Sequence, residues 1–286
     1  MSVPFAIVTD GTCTPPGIPL KDLGVGVAPL HVRIGPDAYT AGAGGDLSNE
    51  RYYELLSDGA QLPTTSQPSP GDWITLFDEA RARGQRDVLV VTIAGTMSGT
   101  FASASLAARN SDLNVTVIDS RTNSGGQGLI VRALARARQD GSSFDEAAAL
   151  ARRLAGRPEI FAYVDTLEFL RRSGRVPALA AVFGALLNIK PLVRIADGET
   201  KLVGRARTRA QALDRVKGLA RASVGPTGAA TVGVVHTNAP AIAAELAGWA
   251  RVVFSCPDVF CEEAGPVLAT HVGPGVVAIA LLEEDT

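Results

Sequence analysis

Cysteine and histidine are scarce in this chain of 286 residues, which has three of each. The cysteines, Cys13, Cys256 and Cys261, are too few and too scattered for a disulfide framework, so we expect reduced thiols. The histidines are far apart, no HExxH sequence occurs, and no cysteine pair has the close spacing of a zinc site. The sequence therefore predicts no metal centre.

Long apolar runs and excess charge are also missing. No segment approaches the run of about 18 apolar residues that a membrane span needs, and the start, MSVPFAIVTD, lacks the regions of a signal peptide. The formal net charge is −2, and no basic patch or DNA-binding motif indicates a nucleic-acid partner. We therefore expect a cytoplasmic protein that keeps its N-terminus and has no transmembrane segment.

The common nucleotide-binding motifs are absent as well. There is no GxxxxGK[ST] sequence, and no GxGxxG follows the first predicted strand, so no nucleotide cofactor is predicted. The segment GTMSG resembles the GxSxG elbow of hydrolases, but its serine stands one place too late. A serine esterase or thioesterase that uses Ser98 as nucleophile and His271 as base stays open as the alternative hypothesis.

The hydrophobic pattern predicts an α/β fold in two domains. Short apolar runs alternate with alanine-rich helical stretches, as in sheets that are covered by helices on both faces. Residues 1–157 are predicted to form a doubly wound parallel sheet (α/β/α), and residues 158–286 a second α/β domain with a mixed sheet. Asp197 and Gly198 stand between two short strands and predict a β-hairpin there. His31 and His236 lie in predicted strands and are interpreted as structural.

Helix boundaries are clearest in the first half of the chain. The predicted helices are Leu47 to Leu56, Pro70 to Arg83, Thr100 to Arg109, Gly125 to Arg138 and Phe144 to Leu154. The second of these has the best-marked start, because Ser69 is a suitable N-cap, Pro70 suits the first helical position and Asp72 completes the cap.

Four loops that flank these elements are rich in Ser, Thr and Asp. They are AIVTDGTCTPP, LPTTSQPSPGDW, VTIAGTMSGTFASA and TVIDSRTNSGGQGL. In open α/β sheets ligands bind beyond the carboxyl ends of the strands, where hydroxyls and helix N-termini donate hydrogen bonds to anions. The same residue types are the usual turn and capping residues. The residues alone leave both interpretations open, but their concentration in several loops favours an anion site.

A segment in the second half combines charge with an apolar helix. Arg171, Arg172 and Arg175 surround a Ser-Gly turn, and residues 178–189, ALAAVFGALLNI, are apolar nearly all round. Such a helix is either ordinary core or the wall of a site for a long apolar ligand, and the pattern does not separate the two.

Seven motifs, taken together and in order, resemble the DegV family of bacterial fatty-acid-binding proteins. They are TDGTCTPP, LPTTSQPSPGDW, TMSGTFASA, VIDSRTNSGGQG, LEFLRRSGRV, LLNIKPLV and THVGPGVVAIAL. The resemblance covers essentially the whole chain, and it is specific because the TSQPS, SGT and HxGPG elements occur together.

The resemblance implies two α/β domains with one long-chain fatty acid held between them. Some members of the family present the bound carboxylate to a separate ATP-dependent fatty acid kinase, which makes an acyl phosphate for phospholipid synthesis, and the carrier itself performs no chemistry. By motif, Thr65 and Ser98 are expected to bind the carboxylate. Arg175 and His271 are expected to complete the polar network, with the Gly-Pro-Gly bend fixing His271 toward the head group.

The chain departs from the family pattern by the loss of hydroxyls at two places, and RRSGR replaces a more usual KKGGR with the charge kept. The first motif has Gly11 after Asp10 where the family often has serine, and Ala94-Gly95 replaces a serine pair. Any contact made by those hydroxyls is lost here.

Overall fold

The computed structural model describes residues 4–15, 17–41, 45–57, 62–174, 189–225 and 230–283. The strands within these ranges are β1 (Ala6–Asp10), β2 (Val25–Ala28), β3 (Leu30–Ile34), β4 (Asp37–Ala41), β5 (Thr64–Ser66), β6 (Asp87–Thr92), β7 (Asn114–Asp119), β8 (Glu159–Tyr163), β9 (Lys190–Ala196), β10 (Glu199–Ala206), β11 (Ala230–His236), β12 (Phe260–Glu263) and β13 (Val277–Glu283). The helices are α1 (Asn49–Ser57), α2 (Pro70–Ala82), α3 (Thr100–Arg109), α4 (Ser124–Gln139), α5 (Phe144–Leu154), α6 (Leu167–Ser173), α7 (Arg209–Ser223), α8 (Pro240–Val253) and α9 (Pro266–Val272).

The first half of the chain forms a parallel sheet with the strand order β2-β1-β6-β7. Helices α2 and α3 cover one face, and α4 and α5 cover the other. The strand order reverses between β1 and β6, where such sheets bind ligands beyond the carboxyl ends of the strands. The predicted doubly wound sheet is confirmed.

The second half forms a six-stranded mixed sheet with the order β10-β9-β8-β13-β11-β12. Its pairs are antiparallel except for β11 with β12, which are parallel. Strands β9 and β10 are joined at Asp197 and Gly198, whose φ angles are 52° and 77°. Two successive positive φ values are typical of the tight hairpin turn that Asp-Gly favours, so the predicted hairpin is confirmed.

A third sheet was not predicted. It contains β4, β3 and β5 in that order, all antiparallel. Strand β5 covers Thr64–Ser66, inside the segment that we interpreted as a loop before α2. The pairing of Thr65 with Val32 makes this short segment extended, and it places the Thr65 side chain next to helix α9.

Helix α4 lies between the parallel sheet and the mixed sheet. It contacts β1 and β6 on one side and β11 and β13 on the other, and most of its residues are buried. A Cβ at Gly125 would lie 2.8 Å from Val235 Cγ2 of the mixed sheet, so only glycine permits this approach. The glycines after β7 therefore have a packing role that the sequence did not distinguish from an anion-binding loop.

The helix predictions agree with the structure within two residues at each end. Helices α3 and α5 have the predicted boundaries, and α2 begins at Pro70. Ser69 and Asp72 form the reciprocal bonds of a capping box before α2. The three cysteines are free thiols, as expected.

The strands of the parallel sheet all precede Arg157, and those of the mixed sheet all follow it. Helix α4 nevertheless packs on both sheets, and the division at residues 157 and 158 stays a prediction. The predicted apolar helix at residues 178–189 lies, apart from its last residue, outside the described residues.

Candidate functional site

A cavity of ≈ 490 Å³ lies between the mixed sheet and the loops at the carboxyl ends of the parallel strands. Its volume is within the range of about 300 to 1,000 Å³ that is typical of small-molecule sites. A cross-strand row of Val235, Ala278, Ala162 and Val193 forms part of its floor. The two alanines stand on the central strands of this row, and their small side chains leave space above the sheet.

A second row extends the apolar floor toward the edge of the mixed sheet. Its members are Ala280, Ile160, Ile195 and Thr200. Thr200 is the only polar side chain of the two rows. A surface of this kind has little to offer a polar ligand, but it can bury an alkyl chain.

Polar groups lie on the opposite wall. That wall is lined by Thr12, Leu30, Thr65, Ser66, Gln67, Ile93, Met97, Ser98, Gly99, Asn123, Ser124, Gly125, Val267, Leu268, His271 and Val272. Among the described residues that line the cavity there is no Asp, Glu, Lys or Arg. The wall therefore offers hydroxyl, amide and imidazole groups, without a full opposite charge.

Asp10 holds the loops after β1 and β6 together. One of its oxygens accepts hydrogen bonds from the Thr12 backbone N–H, at 3.0 Å, and from the Thr12 hydroxyl. The other accepts from the Ile93 N–H at 2.8 Å and from Gln127 Nε2 at 3.1 Å. Burial raises the pKa of Asp10, and these hydrogen bonds oppose the shift. Since both oxygens are occupied, Asp10 positions the wall of the cavity rather than contacting a ligand.

Ser98 stands just before α3, and hydrogen bonds with Thr100 fix the position of its hydroxyl. Ser98 Oγ accepts a hydrogen bond from the Thr100 N–H at 3.3 Å and lies 2.7 Å from Thr100 Oγ1. Thr100 is fully buried, whereas Ser98 is half-buried and lines the cavity. When the Thr100 hydroxyl donates to Ser98, the Ser98 proton is available to a ligand.

Thr65 and His271 contact each other across the cavity wall. Thr65 Oγ1 lies 2.8 Å from His271 Nε2, and both residues are half-buried. If Nε2 carries the proton, it donates to Thr65, and the Thr65 hydroxyl proton is then available to a ligand. The structure thus brings together two of the residues that the resemblance selected.

A smaller cleft of ≈ 170 Å³ adjoins the cavity on the other side of this pair. Thr65 and His271 line both spaces, and Phe169 and Arg172 line only the cleft. The hydrogen bond between Thr65 and His271 therefore lies between the apolar cavity and a second, more polar space.

The Gly-Pro-Gly bend begins after His271, which lies in the helix that precedes it. His271 is in the last turn of α9, and Gly273 is the C-cap, with φ 77° and ψ 175°. Thr237, at the end of β11, donates from Oγ1 to the Gly273 carbonyl at 2.7 Å and accepts from the Val276 N–H at 3.0 Å. The bend thus ends α9 and ties its last turn to the mixed sheet.

Three of the four predicted site residues line one cavity. They are Thr65, Ser98 and His271. The fourth, Arg175, lies outside the described residues. Their assignment to the head group of a ligand stays a prediction, because the cavity alone does not identify what it binds.

The alternative hydrolase needs a hydrogen bond from Ser98 to His271. In the structure the Ser98 hydroxyl contacts Thr100, and His271 Nε2 contacts Thr65. A nucleophile and its base are normally within hydrogen-bond reach of each other. In the described geometry Ser98 and His271 are therefore not paired as nucleophile and base.

The two departures from the family pattern lie away from the cavity lining. Gly11 donates its N–H to the Ala28 carbonyl at 2.9 Å, and Gly95 donates to Asp119 Oδ2 at 3.1 Å. Neither residue lines the cavity, and Ala94 does not line it either.

Several cavity residues were not selected from the sequence. Gln67 packs against Gly99 at the start of α3, which brings the TSQPS and SGT motifs into contact. Asn123 lines the cavity beside Met97. Its position directly after the strand-ending segment VIDSRT could have indicated a cavity residue, but a polar residue at that position is equally typical of a helix N-cap.

His236 lies at the end of β11, as expected for a strand residue, and it also lines the cavity. Its Nδ1 accepts a hydrogen bond from the Ala239 N–H at 3.3 Å, at the start of α8. Burial lowers the pKa of His236, and Glu263 opposes the shift. The Nδ1 atom therefore serves as the acceptor for a backbone N–H at a helix start.

Among the described residues, no three side chains of His, Cys, Asp or Glu form a group that could hold a metal ion. None of the helices in the described ranges combines the length and hydropathy that a bilayer span requires.

Comparisons with known proteins identify the family. The family model described as "Uncharacterised protein, DegV family" matches residues 4–284. The chain belongs to the DegV family. A DegV domain-containing protein of Deinococcus radiodurans is 34% identical over 282 residues, covering 97% of this chain and 98% of that protein. A DegV domain-containing protein of Streptomyces coelicolor is 31% identical, with 98% and 99% coverage.

Solved DegV structures share the whole fold. A fatty-acid-binding DegV family protein from Thermus thermophilus superposes with a TM-score of 0.88 at 30% identity, covering 98% of this chain and 99% of that one. A stearic-acid-binding protein from Eubacterium ventriosum superposes with a TM-score of 0.86 at 26% identity, covering 98% of both chains. The agreement extends over both halves of the molecule.

Proposed function

We propose that this protein binds a long-chain fatty acid in the cavity and presents its carboxylate at the hydroxyl-lined wall. The observation that carries the proposal is the composition of the cavity: an apolar sheet floor faces a wall that includes Thr65, Ser98 and His271. A fatty-acid-binding DegV family protein and a stearic-acid-binding protein share this fold.

The floor supplies most of the affinity in this proposal. Each methylene that leaves water for an apolar surface contributes about 0.8 kcal/mol. The rows through Ala278 and Ala280 provide such a surface on four adjacent strands. Chain length would therefore have a strong effect on binding.

The hydroxyls fix the orientation of the ligand. Thr65 and Ser98 each have a neighbour that is able to donate to the hydroxyl oxygen, so that each hydroxyl proton can point at a carboxylate. Hydrogen bonds to a charged acceptor are about twice as strong as those between neutral groups. In this proposal His271 orients Thr65, and Arg175 completes the polar network.

The protein itself would act as a carrier without its own chemistry. An ATP-dependent fatty acid kinase in the cytoplasm would use the exposed carboxylate to make an acyl phosphate for phospholipid synthesis. Support for the kinase step comes from the family resemblance. The pairing of Ser98 with Thr100, rather than with a general base, supports the absence of chemistry in the carrier itself.

Mass spectrometry tests the proposal directly. Purified protein is measured under native and then denaturing conditions, with and without prior incubation with mixed fatty acids. We expect a mass excess that disappears on denaturation and releases a free fatty acid. An unchanged apo mass after incubation would rule out the carrier and direct attention to labelling of Ser98 by a fluorophosphonate.

Replacement of the Ser98 hydroxyl should weaken binding without affecting the apolar floor. For Ser98→Ala we expect a loss of about 2 kcal/mol in the binding free energy of hexadecanoate, because a hydrogen bond to a charged group is removed. Isothermal titration measures the change. Ser105→Ala is the matched control, since Ser105 lies in α3 but does not line the cavity. Equal affinities of the two variants would mean that the carboxylate is held elsewhere.

A further inference from the structure

The N-terminus of α4 opens into the same cavity. Asn123, which precedes the helix, and its first two residues, Ser124 and Gly125, line the cavity wall. The helix has 16 residues and follows β7 at the carboxyl end of the parallel sheet. The positive end of its dipole and its first amides therefore meet the ligand space.

The amides at this helix start are not capped by the protein. Asn123 is the N-cap residue, but its side chain makes no capping hydrogen bond. The Ser124 hydroxyl lies 2.7 Å from Thr14 Oγ1 and is used there. Among the described residues, no hydrogen bond takes up the N–H groups of Ser124, Gly125 and Gly126.

The Asn123 side chain provides a second, independent observation. Asn123 is only 9% exposed, yet its one hydrogen bond runs from Nδ2 to the Sδ atom of Met97, at 3.6 Å. Thioether sulfur is a weak acceptor, and the bond uses one of the two amide protons. The second amide proton and the oxygen of Asn123 make no hydrogen bond to the described residues, so both are available to a ligand in the cavity that Asn123 lines.

Asn123 stands beside the segment that carries Ser98. Met97, its contact, is the residue before Ser98, and the Ala94 N–H donates to the Thr122 carbonyl at 2.9 Å. The α4 start and the Ser98 loop are thus joined at the backbone. Both are parts of one wall, on which the described lining residues include no Asp, Glu, Lys or Arg.

We propose that Asn123 and the first amides of α4 form a second hydrogen-bonding subsite for the anionic head group of the ligand. The inference rests on the proposed binding of a fatty acid and adds residues that the family motifs did not indicate. The head group is held between the hydroxyls of Thr65 and Ser98 and the N-terminus of α4. Its negative charge is stabilised there by amides and a helix dipole.

The test compares a charged ligand with an uncharged one of equal chain length. Asn123→Asp keeps the side-chain size and an equally good N-cap, but it adds a negative charge at the subsite. We expect the dissociation constant for hexadecanoate to rise at least roughly tenfold and that for hexadecanol to change less than about threefold. Asn123→Ala should show the same selectivity with a smaller loss.

Asn110→Asp is the matched control, because Asn110 is the exposed C-cap of α3 and does not line the cavity. An effect of Asn123→Asp on hexadecanoate no larger than that of the control overturns the inference. So does an equal loss for acid and alcohol. Wild-type protein that binds neither ligand overturns the proposed function itself, and the inference with it.

Discussion

Replacement of Ala278 by phenylalanine is expected to weaken the binding of hexadecanoate by roughly a hundredfold. Ala278 stands on β13 in the row that includes Val235 and Ala162, and it lines the cavity. A phenyl ring at this position occupies space above the sheet that we assign to the alkyl chain. Exclusion of four methylenes at about 0.8 kcal/mol each costs about 3 kcal/mol, which corresponds to that factor. Titration with hexadecanoate measures the change.

The variant should still fold, because the ring grows into a cavity rather than into packed core. Thermal unfolding checks this point, and Ala244→Phe on the exposed side of α8 is the control for a phenylalanine introduced elsewhere. Binding that is unchanged in a folded Ala278→Phe protein would place the alkyl chain outside this cavity. Retained binding of a much shorter fatty acid would instead show that the ring blocks only the deeper part.

The elements that were predicted well are those whose signals are local. The capping box at Ser69 and Asp72 marks the start of α2, and the turn at Asp197 and Gly198 fixes the register of β9 with β10. Each signal involves residues at most three positions apart, so it is readable from the chain alone. The buried runs β1 and β6 were equally clear, since a central parallel strand is apolar on both faces.

The small antiparallel sheet was missed because no local signal specifies it. Strand β5 has three residues, and Thr64, Thr65 and Ser66 are as common in turns as in strands. Its conformation follows from pairing with β3, more than 30 positions earlier in the chain. Thr65 was therefore found through a family motif, while its position at the edge of a sheet depends on tertiary contacts.

The residues of the candidate site also differ in how well the sequence marks them. Ser98 and His271 belong to recognisable motifs, and the structure places both on one cavity wall. Asn123 stands in a motif too, but a polar residue before a helix ordinarily caps it. Only the geometry reveals that its side chain makes no such bond. The alanines of the floor have no distinctive sequence signal either. Only the strand register shows that they lie side by side along the cavity.

Replacement of Gly273 by alanine is expected to cost about 3 kcal/mol of folding free energy. The residue has φ 77° and ψ 175°, a conformation that is essentially restricted to glycine. A Cβ there would also lie 2.9 Å from Cγ of Phe169, whose ring packs against the bend. Backbone strain and overpacking therefore act together. Urea unfolding measures the loss of stability.

Gly218→Ala is the matched control for this change. Gly218 is exposed within α7, and a Cβ there meets nothing within 4 Å. Alanine at such a position should stabilise the protein by about 0.5 to 1 kcal/mol. Both variants replace glycine by alanine. Opposite signs of the change in unfolding free energy would therefore assign the loss at residue 273 to the geometry of the bend. Equal stability of both variants would mean that residue 273 does not need glycine.

The same substitution also tests how the bend positions His271. Thr237 holds the Gly273 carbonyl, and this contact ties the last turn of α9 to the mixed sheet. If alanine displaces the bend, the hydrogen bond between His271 and Thr65 should lengthen or break. Hexadecanoate binding should then weaken under conditions in which the variant is still folded, because His271 no longer orients the Thr65 hydroxyl. Unchanged binding by a folded but destabilised variant would separate the stability of the bend from the function of His271.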